Sequence, residues 1–354
     1  MNILWDFRLF SYAYRGRGVG NFTKLMAVAI HNVHPDAQLF IWGQKEFIPA
    51  EFHEWPVHWL DYKPQTWKND LFSIPLLIKK HDIDIFHYWI GLGPIFKIGM
   101  GLFHKCKTCV TVYDLGIKYW DDIPYCKALR KTWYWKVQKQ LFNKADKVVC
   151  ISEATLDDVK KCFKIKPENI SVIYPPMPVK DSGRIVMREK RFIVLDGAPH
   201  KNISIVVKAF IAFKKAHPDF LLYILGDIET FECSRYCNNY GLILEKMNHY
   251  DELLKSSAGL IFCSTHEGLG LPPIEAMANN CPLILSDIPV FHETCGDAGR
   301  FVDPYDMASI VAGMEDVALN IDKWAQLSQD GFKRYCKLSD NAGLKWIDVY
   351  NGML

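Results

Sequence analysis

Residues 264–277 carry the pattern that decides the fold class of this chain, and they read Ser-Thr-His-Glu-Gly-Leu-Gly-Leu-Pro-Pro-Ile-Glu-Ala-Met. The run before them, residues 258–263, is apolar and predicts a strand, whereas the run after the proline pair predicts a helix. Proline suits the first turn of a helix because its φ is preset and no N–H is needed there. The predicted order is strand, glycine loop and helix, which is typical of an α/β protein.

Two glutamates, Glu267 and Glu275, stand on either side of this loop with seven residues between them. Backbone N–H groups in a glycine loop approach an anion closely, and a helix N-terminus adds a partial positive charge, so we expect a phosphate or diphosphate here. The loop residues expected to bind it are Gly268, Leu269, Gly270 and Leu271. Carboxylates suit the hydroxyl groups of a ribose or a sugar, and the combination indicates a nucleotide-sugar. A plain turn before a helix would also explain the two glycines.

The complete string resembles the Glu-x7-Glu signature of glycosyltransferase family 4, whose members are retaining enzymes of the GT-B fold. The similarity covers nearly the whole chain and is strongest in the second half. Further matching segments are 282–289, Glu293, 296–299 and 301–304. The resemblance implies that Glu275 holds the ribose hydroxyls of the donor and that Glu267 contacts the sugar near the reacting centre.

Length and composition limit the possible classes of protein. The chain has 354 residues, which suits two domains, and 49% of them are hydrophobic. Its formal net charge of +2 is too small to predict nucleic-acid binding. We see neither an apolar run of the ~20 residues that span a membrane nor a signal peptide. Eleven cysteines scattered through apolar runs favour a reducing compartment over disulfides, so we expect a cytoplasmic protein.

Strand-like and helix-like segments alternate along the chain, which predicts parallel sheets covered by helices. Proline-rich residues 174–178 and the polar run after them predict a domain boundary. We therefore predict an acceptor-side Rossmann-like domain at 1–178, a nucleotide-sugar-binding Rossmann-like domain at 179–335 and a C-terminal helix at 336–354. In the GT-B fold the two domains face each other across a cleft, and the resemblance implies that the last helix crosses back to the first domain. Packing on the second domain is the alternative.

The predicted elements follow from the period of the apolar residues. Strands are expected at 2–6, 38–42, 83–87, 108–113, 147–151, 170–173, 192–195, 220–225, 258–263 and 282–285. Helices are expected at 21–32, 70–80, 127–143, from Ser152 to about 162, 203–215, 250–256, 274–279, 307–318 and 339–354.

A second glycine-rich string, residues 15–22, lies between the first predicted strand and helix. Taken alone it suggests a dinucleotide site, but the usual acidic residue about 20 positions later is not clear. The string resembles the N-terminal glycine loop of the family, which faces the donor diphosphate or the acceptor. On that resemblance Arg17, Gly18 and Gly20 are candidate donor-binding residues. A plain strand-to-helix turn is the alternative.

Residues 196–202 place a lysine at a helix start below a glycine turn, which is a suitable position for binding phosphate. They resemble the family segment that ends in Arg-Lys-Asn. Lys201 therefore carries over as the diphosphate lysine and as a candidate catalytic residue. His200 stands in the position of the arginine, where it weakens one charge contact because histidine is mostly neutral at pH 7. A surface lysine at a helix start would give the same sequence.

Tyr113 and Asp114 end a predicted strand of the first domain, where family members usually have His-Asp-Leu. We name both as catalytic candidates, although a phenol with a pKa near 10 is a poor proton relay. His87 ends another strand and matches a family position on the acceptor side of the cleft. A structural histidine with satisfied ring nitrogens explains His87 equally well.

Two further sequence patterns concern metal and membrane contacts. Asp82 and Asp84 form an Asp-x-Asp pair at the start of a strand, which is the wrong end for the cleft, so we predict no metal site. Residues 127–147 interleave lysine and arginine with aromatic side chains. This pattern suits peripheral contact with an anionic membrane at its inner face and a lipid-linked acceptor. A solvated helix face over a tryptophan-rich core gives the same pattern and is the slightly favoured interpretation.

The resemblance implies a retaining, metal-independent hexosyltransferase without a cofactor. Its donor would be a GDP- or UDP-sugar, with mannose among the options, and its acceptor a saccharide or a lipid-linked saccharide in polysaccharide or glycolipid assembly. A nucleotide-sugar epimerase of the GT-B fold and a catalytically degenerate nucleotide-sugar-binding protein remain alternatives. Product analysis with the donor alone separates the first alternative from a transferase.

Overall fold

The computed structural model describes residues 1–11, 18–35, 37–61, 73–89, 106–115, 139, 142–177, 188–226, 240–338 and 342–354. Contacts divide the chain into two compact units. The first unit is Met1–Pro176 with Asp340–Leu354, and the second unit is Met177–Ser339. The sequence predicts divisions after residues 178 and 335.

The first unit is built on a seven-stranded parallel sheet with the order β3-β2-β1-β4-β5-β6-β7. Its strands are β1 Asn2–Asp6, β2 Gln38–Gly43, β3 His58–Asp61, β4 Ile85–Tyr88, β5 Lys107–Val112, β6 Lys147–Cys150 and β7 Ile170–Val172. Its helices before the domain boundary are α1 Gly18–Val33, α2 Ile74–Lys80 and α3 Glu153–Cys162. The central strands are buried along most of their length because helices cover parallel sheets on both faces.

Ser152 begins α3 as the sequence predicts. The backbone N–H of Thr155 donates to the Ser152 hydroxyl at 3.0 Å, which satisfies one of the free donors of the first turn. Lys160 and Lys161 stand in the last turn, where positive charge is favourable.

The second unit is a six-stranded parallel sheet with the order β10-β9-β8-β11-β12-β13. Its strands are β8 Glu189–Leu195, β9 Leu221–Leu225, β10 Leu242–Glu245, β11 Ser257–Phe262, β12 Leu283–Ser286 and β13 Gly299–Val302. Its helices are α4 Ile203–Ala216, α5 Tyr250–Ser256, α6 Leu271–Ala278, α7 Pro289–Cys295, α8 Met307–Leu319 and α9 Ile321–Leu338. One core cluster on this sheet contains Phe192, Phe213 and Phe220, whose rings contact each other.

The C-terminal helix α10, Ala342–Asn351, returns to the first unit, and this confirms the prediction for the last helix. It packs against α1, and its side chains Trp346 and Tyr350 are completely buried. Gly343 permits the close approach, because a Cβ at this position would lie 2.8 Å from the carbonyl carbon of Ala29 on α1. The Trp5 indole N–H donates to the Tyr350 hydroxyl at 3.2 Å, which joins the helix to β1.

The structure corrects several sequence-based elements. Helix α1 begins at Gly18, so Gly18 and Gly20 lie in its first turn and not in a glycine loop. Strands β3, β10 and β13 and helices α7 and α9 were not predicted. Most of the predicted helix 127–143, and most of the basic and aromatic stretch 127–147, lie outside the described residues. Within the described ranges, every helix is too short or too polar to cross a membrane.

Candidate active site

The strand order of the second unit reverses between β8 and β11, because the chain builds outward to β10 on one side and to β13 on the other. In open parallel sheets, ligands bind outside the carboxyl ends of the strands at such a switch point. The two loops that meet there follow β8 and β11, which pair in parallel from Phe192 opposite Gly259 to Val194 opposite Ile261. These loops contain Lys201 and Glu267.

The loop after β8 is fixed by its backbone. Residues Pro199–Lys201 form one 3-10 turn, and Asn202 follows in the left-handed conformation with φ 60°. The Asn202 side-chain amide donates to the carbonyl of Pro304 at 2.7 Å, which compensates for that conformation. The N–H of Thr265 donates to the carbonyl of His200 at 2.9 Å, so the two loops are hydrogen-bonded to each other.

Lys201 and Glu267 form the centre of this site. The Lys201 ammonium lies 2.5 Å from Glu267 Oε1 and 4.4 Å from the centre of the Phe262 ring, so both charge and cation–π contact hold it. His200 Nε2 lies 3.8 Å from the same carboxylate oxygen, and the rings of His200 and His266 are 4.6 Å apart. The Lys201 and Glu267 side chains are only 19% and 13% exposed, so water screens their interaction weakly.

The carboxyl group of Glu267 is ionised at neutral pH. Burial by itself raises its pKa, but the charges of Lys201 and His200 and the hydrogen bond from Lys201 outweigh burial, and the pKa lies below its ordinary value. The site therefore presents a fixed negative charge beside a fixed positive one. This arrangement can accept hydrogen bonds from sugar hydroxyls at the carboxylate and attract phosphate oxygens at the ammonium.

The predicted glycine loop is present between β11 and α6. Gly270 has φ 81° and precedes α6, whose first turn contains the proline pair. A Cβ at Gly270 would lie 2.6 Å from Cε1 of Phe291, so both the backbone and the space require glycine. Within the described part of the chain, the N–H groups of Leu269, Gly270 and Leu271 donate to no backbone carbonyl. They are thus available to an anion at the start of α6.

Glu275 lies on α6, one turn beyond the loop, and is half-buried. Its charge faces α5 and α9. Burial, followed by the Glu275 charge, raises the pKa of Tyr250 well above its ordinary value. Burial also raises the pKa of Tyr335 to about 12, with smaller contributions from neighbouring acidic groups that include Glu275. Glu275 and Glu267 therefore lie in different surroundings, the first beside phenols and the second beside basic groups.

Among the candidates of the first unit, Tyr113 follows β5 and is 6% exposed. Its hydroxyl hydrogen-bonds to the Thr23 hydroxyl at 2.5 Å, and its ring meets Phe22 edge-on. Burial raises the pKa of Tyr113, an effect that the Thr23 hydrogen bond only partly opposes, so the phenol remains protonated. Asp114, the next residue, is half-buried. Arg17 lies outside the described residues.

His87 has the environment of a structural histidine. It is completely buried, with Nδ1 at 2.6 Å from the Tyr350 hydroxyl and Nε2 at 2.8 Å from the Thr111 hydroxyl. Its ring stacks on Trp89 at 4.0 Å. Burial lowers its pKa well below 6.5, although Asp6 opposes this, so the imidazole is neutral. With both nitrogens bonded inside the protein, His87 has no ring atom left for an acceptor.

Sequence reasoning missed several residues of both units. Phe262 supports Lys201, and His266 packs beside His200. Asp6 and Arg8 form a buried bidentate ion pair at 2.7 Å at the carboxyl end of β1. The position of Phe262 and Asp6 at the carboxyl ends of central strands is the signal that could have identified them.

Within the described residues, no group of three or more His, Cys, Asp or Glu side chains could hold a metal ion. Asp84 accepts a hydrogen bond from the Asn2 backbone N–H at 2.8 Å, so this carboxylate of the Asp-x-Asp pair is used in the fold.

Two tandem parallel α/β units with a loop site at the switch point of the second define the GT-B class of fold. The model described as Glycosyltransferase Family 4 matches residues 18–180, and the model described as Glycosyl transferases group 1 matches residues 181–334. The chain belongs to glycosyltransferase family 4, and it is a glycosyltransferase.

Individual relatives support this assignment. The O-antigen chain mannosyltransferase RfbU of Salmonella typhimurium is 27% identical over 265 residues, which are 66% of this chain and 69% of that protein. The serotype-specific mannosyltransferase WbdA of Escherichia coli is 25% identical over 48% of this chain, which spans only 25% of that relative. The structure of Anabaena Alr3699/HepE in complex with UDP and glucose has the same fold, with a TM-score of 0.77, 14% identity, and coverage of 99% of this chain and 100% of that one.

Proposed function

We propose that this protein is a retaining glycosyltransferase that moves a hexose from a nucleotide-diphosphate sugar to a saccharide or lipid-linked acceptor. The observation that carries the proposal is the Lys201–Glu267 pair beside the Gly270 turn, at the switch point of the second sheet. We name GDP-mannose as the first donor to test because RfbU and WbdA are mannosyltransferases, and UDP-glucose as the second because the HepE structure contains UDP and glucose.

The leaving diphosphate takes the positive side of this site. Its oxygens approach the Lys201 ammonium and the N–H groups of Leu269, Gly270 and Leu271, which stabilise the charge that develops as the sugar–phosphate bond breaks. Glu267 accepts hydrogen bonds from sugar hydroxyls because its carboxylate is ionised. Glu275 accepts hydrogen bonds from the ribose hydroxyls one helical turn away.

Proton transfer in this proposal does not use a general base at position 113. Tyr113 is buried, protonated and hydrogen-bonded to Thr23, so it cannot accept a proton near neutral pH. The leaving phosphate oxygen deprotonates the acceptor hydroxyl on the same face of the sugar, which gives retention. The ammonium of Lys201 supplies positive charge to the diphosphate, and we propose that the reaction needs no metal ion.

The first experiment is a thermal-shift screen with GDP, UDP, ADP, TDP and their common sugars, with Mg²⁺ and with chelator. A stabilising nucleotide identifies the base, because a ligand that binds only the folded state raises its stability by mass action. Equal shifts with Mg²⁺ and with chelator support metal independence. No shift with any nucleotide at millimolar concentration would count against a donor site.

The second experiment measures transfer with the stabilising donor and determines the anomeric configuration of the product by NMR. Lys201→Ala should lower turnover by about 100-fold or more if its charge acts in the transition state. Lys208→Ala is the matched control, because Lys208 is exposed on α4 of the same unit. A loss of only a few-fold with Lys201→Ala would remove that residue from the mechanism.

Glu275→Ala tests the ribose contact separately. It should weaken nucleotide binding and turnover, whereas Glu252→Ala, at an exposed position on α5, should change neither. Near wild-type kinetics with Glu275→Ala would reject the ribose role. Product analysis with donor alone separates the alternatives: an epimerised sugar identifies an epimerase, and binding without transfer or hydrolysis identifies a binding protein.

A further inference from the structure

The second sheet has another open edge, at the amino ends of its strands and opposite the edge that holds Lys201 and Glu267. A cavity of about 570 Å³ opens there. Small-molecule sites commonly enclose roughly 300–1,000 Å³, so this cavity is large enough for a ligand. Its walls are the start of β8, the turn between α4 and β9, the start of β11, and the junction of α8 with α9.

The inner wall of the cavity is apolar. Phe220, Ala258, Val317 and Trp324 line it, and the Trp324 indole N–H is already bonded to the carbonyl of Ala258 at 3.1 Å. Trp324 therefore presents only its carbon surface to an occupant. At the mouth, Leu319 and Ile321 are 56% and 73% exposed, so an apolar ligand would remove these side chains from water.

Most charged side chains of the wall have a partner of opposite charge. Lys190 lies 3.1 Å from Asp219, Arg191 lies 3.1 Å from the wall residue Glu189, and His217 lies 4.0 Å from Glu315. These pairs stand at the rim and leave little net charge there.

Arg188 is different, because no carboxylate within the described residues forms an ion pair with it. Its Nη1 donates to the carbonyl of Leu254 at 2.7 Å, and its Nη2 donates to the carbonyl of Asn280. Its Nε is buried without an acceptor, and the guanidinium lies 5.0 Å from the centre of the Trp324 ring. Burial lowers the pKa of Arg188, as expected for a desolvated cation that no anion balances.

We propose that this cavity binds a small amphipathic anion: an apolar chain that ends in one carboxylate or phosphate group. The apolar part packs against Trp324 and Phe220, and the anionic group balances the guanidinium of Arg188. The cavity lies away from Lys201, Glu267 and Glu275, so this site is independent of the proposed transferase function.

The test uses the full chain and three probes of equal chain length: decanoate, decyl phosphate and 1-decanol, each below its aggregation concentration. Isothermal titration gives stoichiometry and Kd. We expect one-to-one binding of decanoate or decyl phosphate, at least about tenfold tighter than decanol, because only the anions interact with a desolvated guanidinium. The tighter anion identifies the head group. Absence of saturable binding by both anions, or equal affinity for decanol, overturns the proposal.

Two variants locate the binding. Ala318→Trp places an indole in the cavity and should weaken anion binding at least about tenfold by occupying its volume. Ala308→Trp is the matched control, since Ala308 is exposed at the other end of the same helix, and it should bind like wild type. Equal binding by all three proteins overturns the assignment. Arg188→Gln should abolish the preference for anions over decanol. If the Arg188→Gln protein does not fold, the comparison of Ala318→Trp with wild type still tests where the anion binds.

Discussion

Replacement of Gly343 by alanine tests the contact between the C-terminal helix and the first unit. A Cβ at this position would lie 2.8 Å from the Ala29 carbonyl carbon, closer still to its oxygen, and 3.1 Å from Cγ2 of Val33. Carbon atoms in ordinary contact are about 3.5–4.0 Å apart. Since the nearest obstacle is backbone and cannot rotate away, α10 must move outward by about 1 Å.

The expected free energy follows from two opposing terms. Overpacking against a rigid neighbour costs about 1–3 kcal/mol, and Gly→Ala within a helix returns up to about 1 kcal/mol. The stabilisation from replacing glycine with alanine is smaller here, because Gly343 is the second residue of α10 and does not lie in the helix interior. The shift also strains the hydrogen bonds of Tyr350 with Trp5 and His87. We expect a net destabilisation of about 1–2 kcal/mol.

Gly331→Ala is the matched control because Gly331 also lies inside a helix, α9, and its Cβ would meet Cγ of Met277 at 3.3 Å. A flexible side chain can move, so this variant should be neutral or slightly stabilised. Urea unfolding compares the transition midpoints, and hydrogen exchange over residues 342–351 reports the helix directly. Wild-type stability with unchanged protection of this segment in Gly343→Ala would refute the reasoning.

Three further outcomes are expected. Glu267→Gln should tighten binding of the free nucleoside diphosphate about fivefold, because the ammonium of Lys201 loses a competing carboxylate worth about 1 kcal/mol. Turnover should fall. Unchanged or weaker binding in titration calorimetry would contradict this prediction. Tyr350→Phe should lower unfolding free energy by about 2–4 kcal/mol, because Trp5 Nε1 and His87 Nδ1 each lose their buried partner. The free energy of unfolding should decline as pH falls below about 6.5. The unfolded chain then binds a proton at His87, whereas the folded protein does not because the pKa of His87 is lowered there. The stability of His87→Gln, measured by urea unfolding at pH 7.5 and 5.5, should depend less on pH.

Local sequence patterns were sufficient for elements with strong apolar periodicity. Strands β1, β6 and β11 are close to their predicted bounds because they are central and buried on both faces. The edge strands β3, β10 and β13 were missed, since a four-residue strand beside only one neighbour carries a weak apolar pattern. Helix α9 was missed although it is strongly amphipathic; its interior Gly331 lowers the helix preference of that stretch.

The glycines of α1 show why the sequence pattern placed the start of this helix too late in the chain. Gly18 and Gly20 look like loop residues because glycine is unfavourable inside helices. In the structure they form the first turn of α1, and the following Thr23 donates to the carbonyl of Val19 at 2.9 Å. The same Thr23 holds Tyr113, a contact between residues 90 positions apart. Sequence periodicity contains no information about such a pairing.

The role of His87 could not be predicted from the neighbouring sequence, because it depends on a hydrogen-bond partner that is distant in the chain. Its two alternatives, acceptor contact or structural histidine, differ only in whether its ring nitrogens are occupied. One of them is bonded to Tyr350, which follows 263 positions later on a helix that returns to the first unit. The correct prediction that α10 returns to the first unit was therefore not sufficient to assign the role of His87. The register of α10 on the sheet determines which of its side chains contacts the imidazole.

The site of the second unit was the most predictable part because topology constrains it. Lys201 and Glu267 are separated by 66 positions, yet each follows a strand, and those two strands are neighbours at the switch point. Any right-handed parallel α/β unit with this strand order brings the two loops together. What topology does not fix is the charge balance: Glu267 lies between Lys201 and His200. Under the proposed function, the donor diphosphate shares Lys201 with a carboxylate already paired to it. The proposal therefore implies that sugar recognition at Glu267 is coupled to diphosphate binding at Lys201.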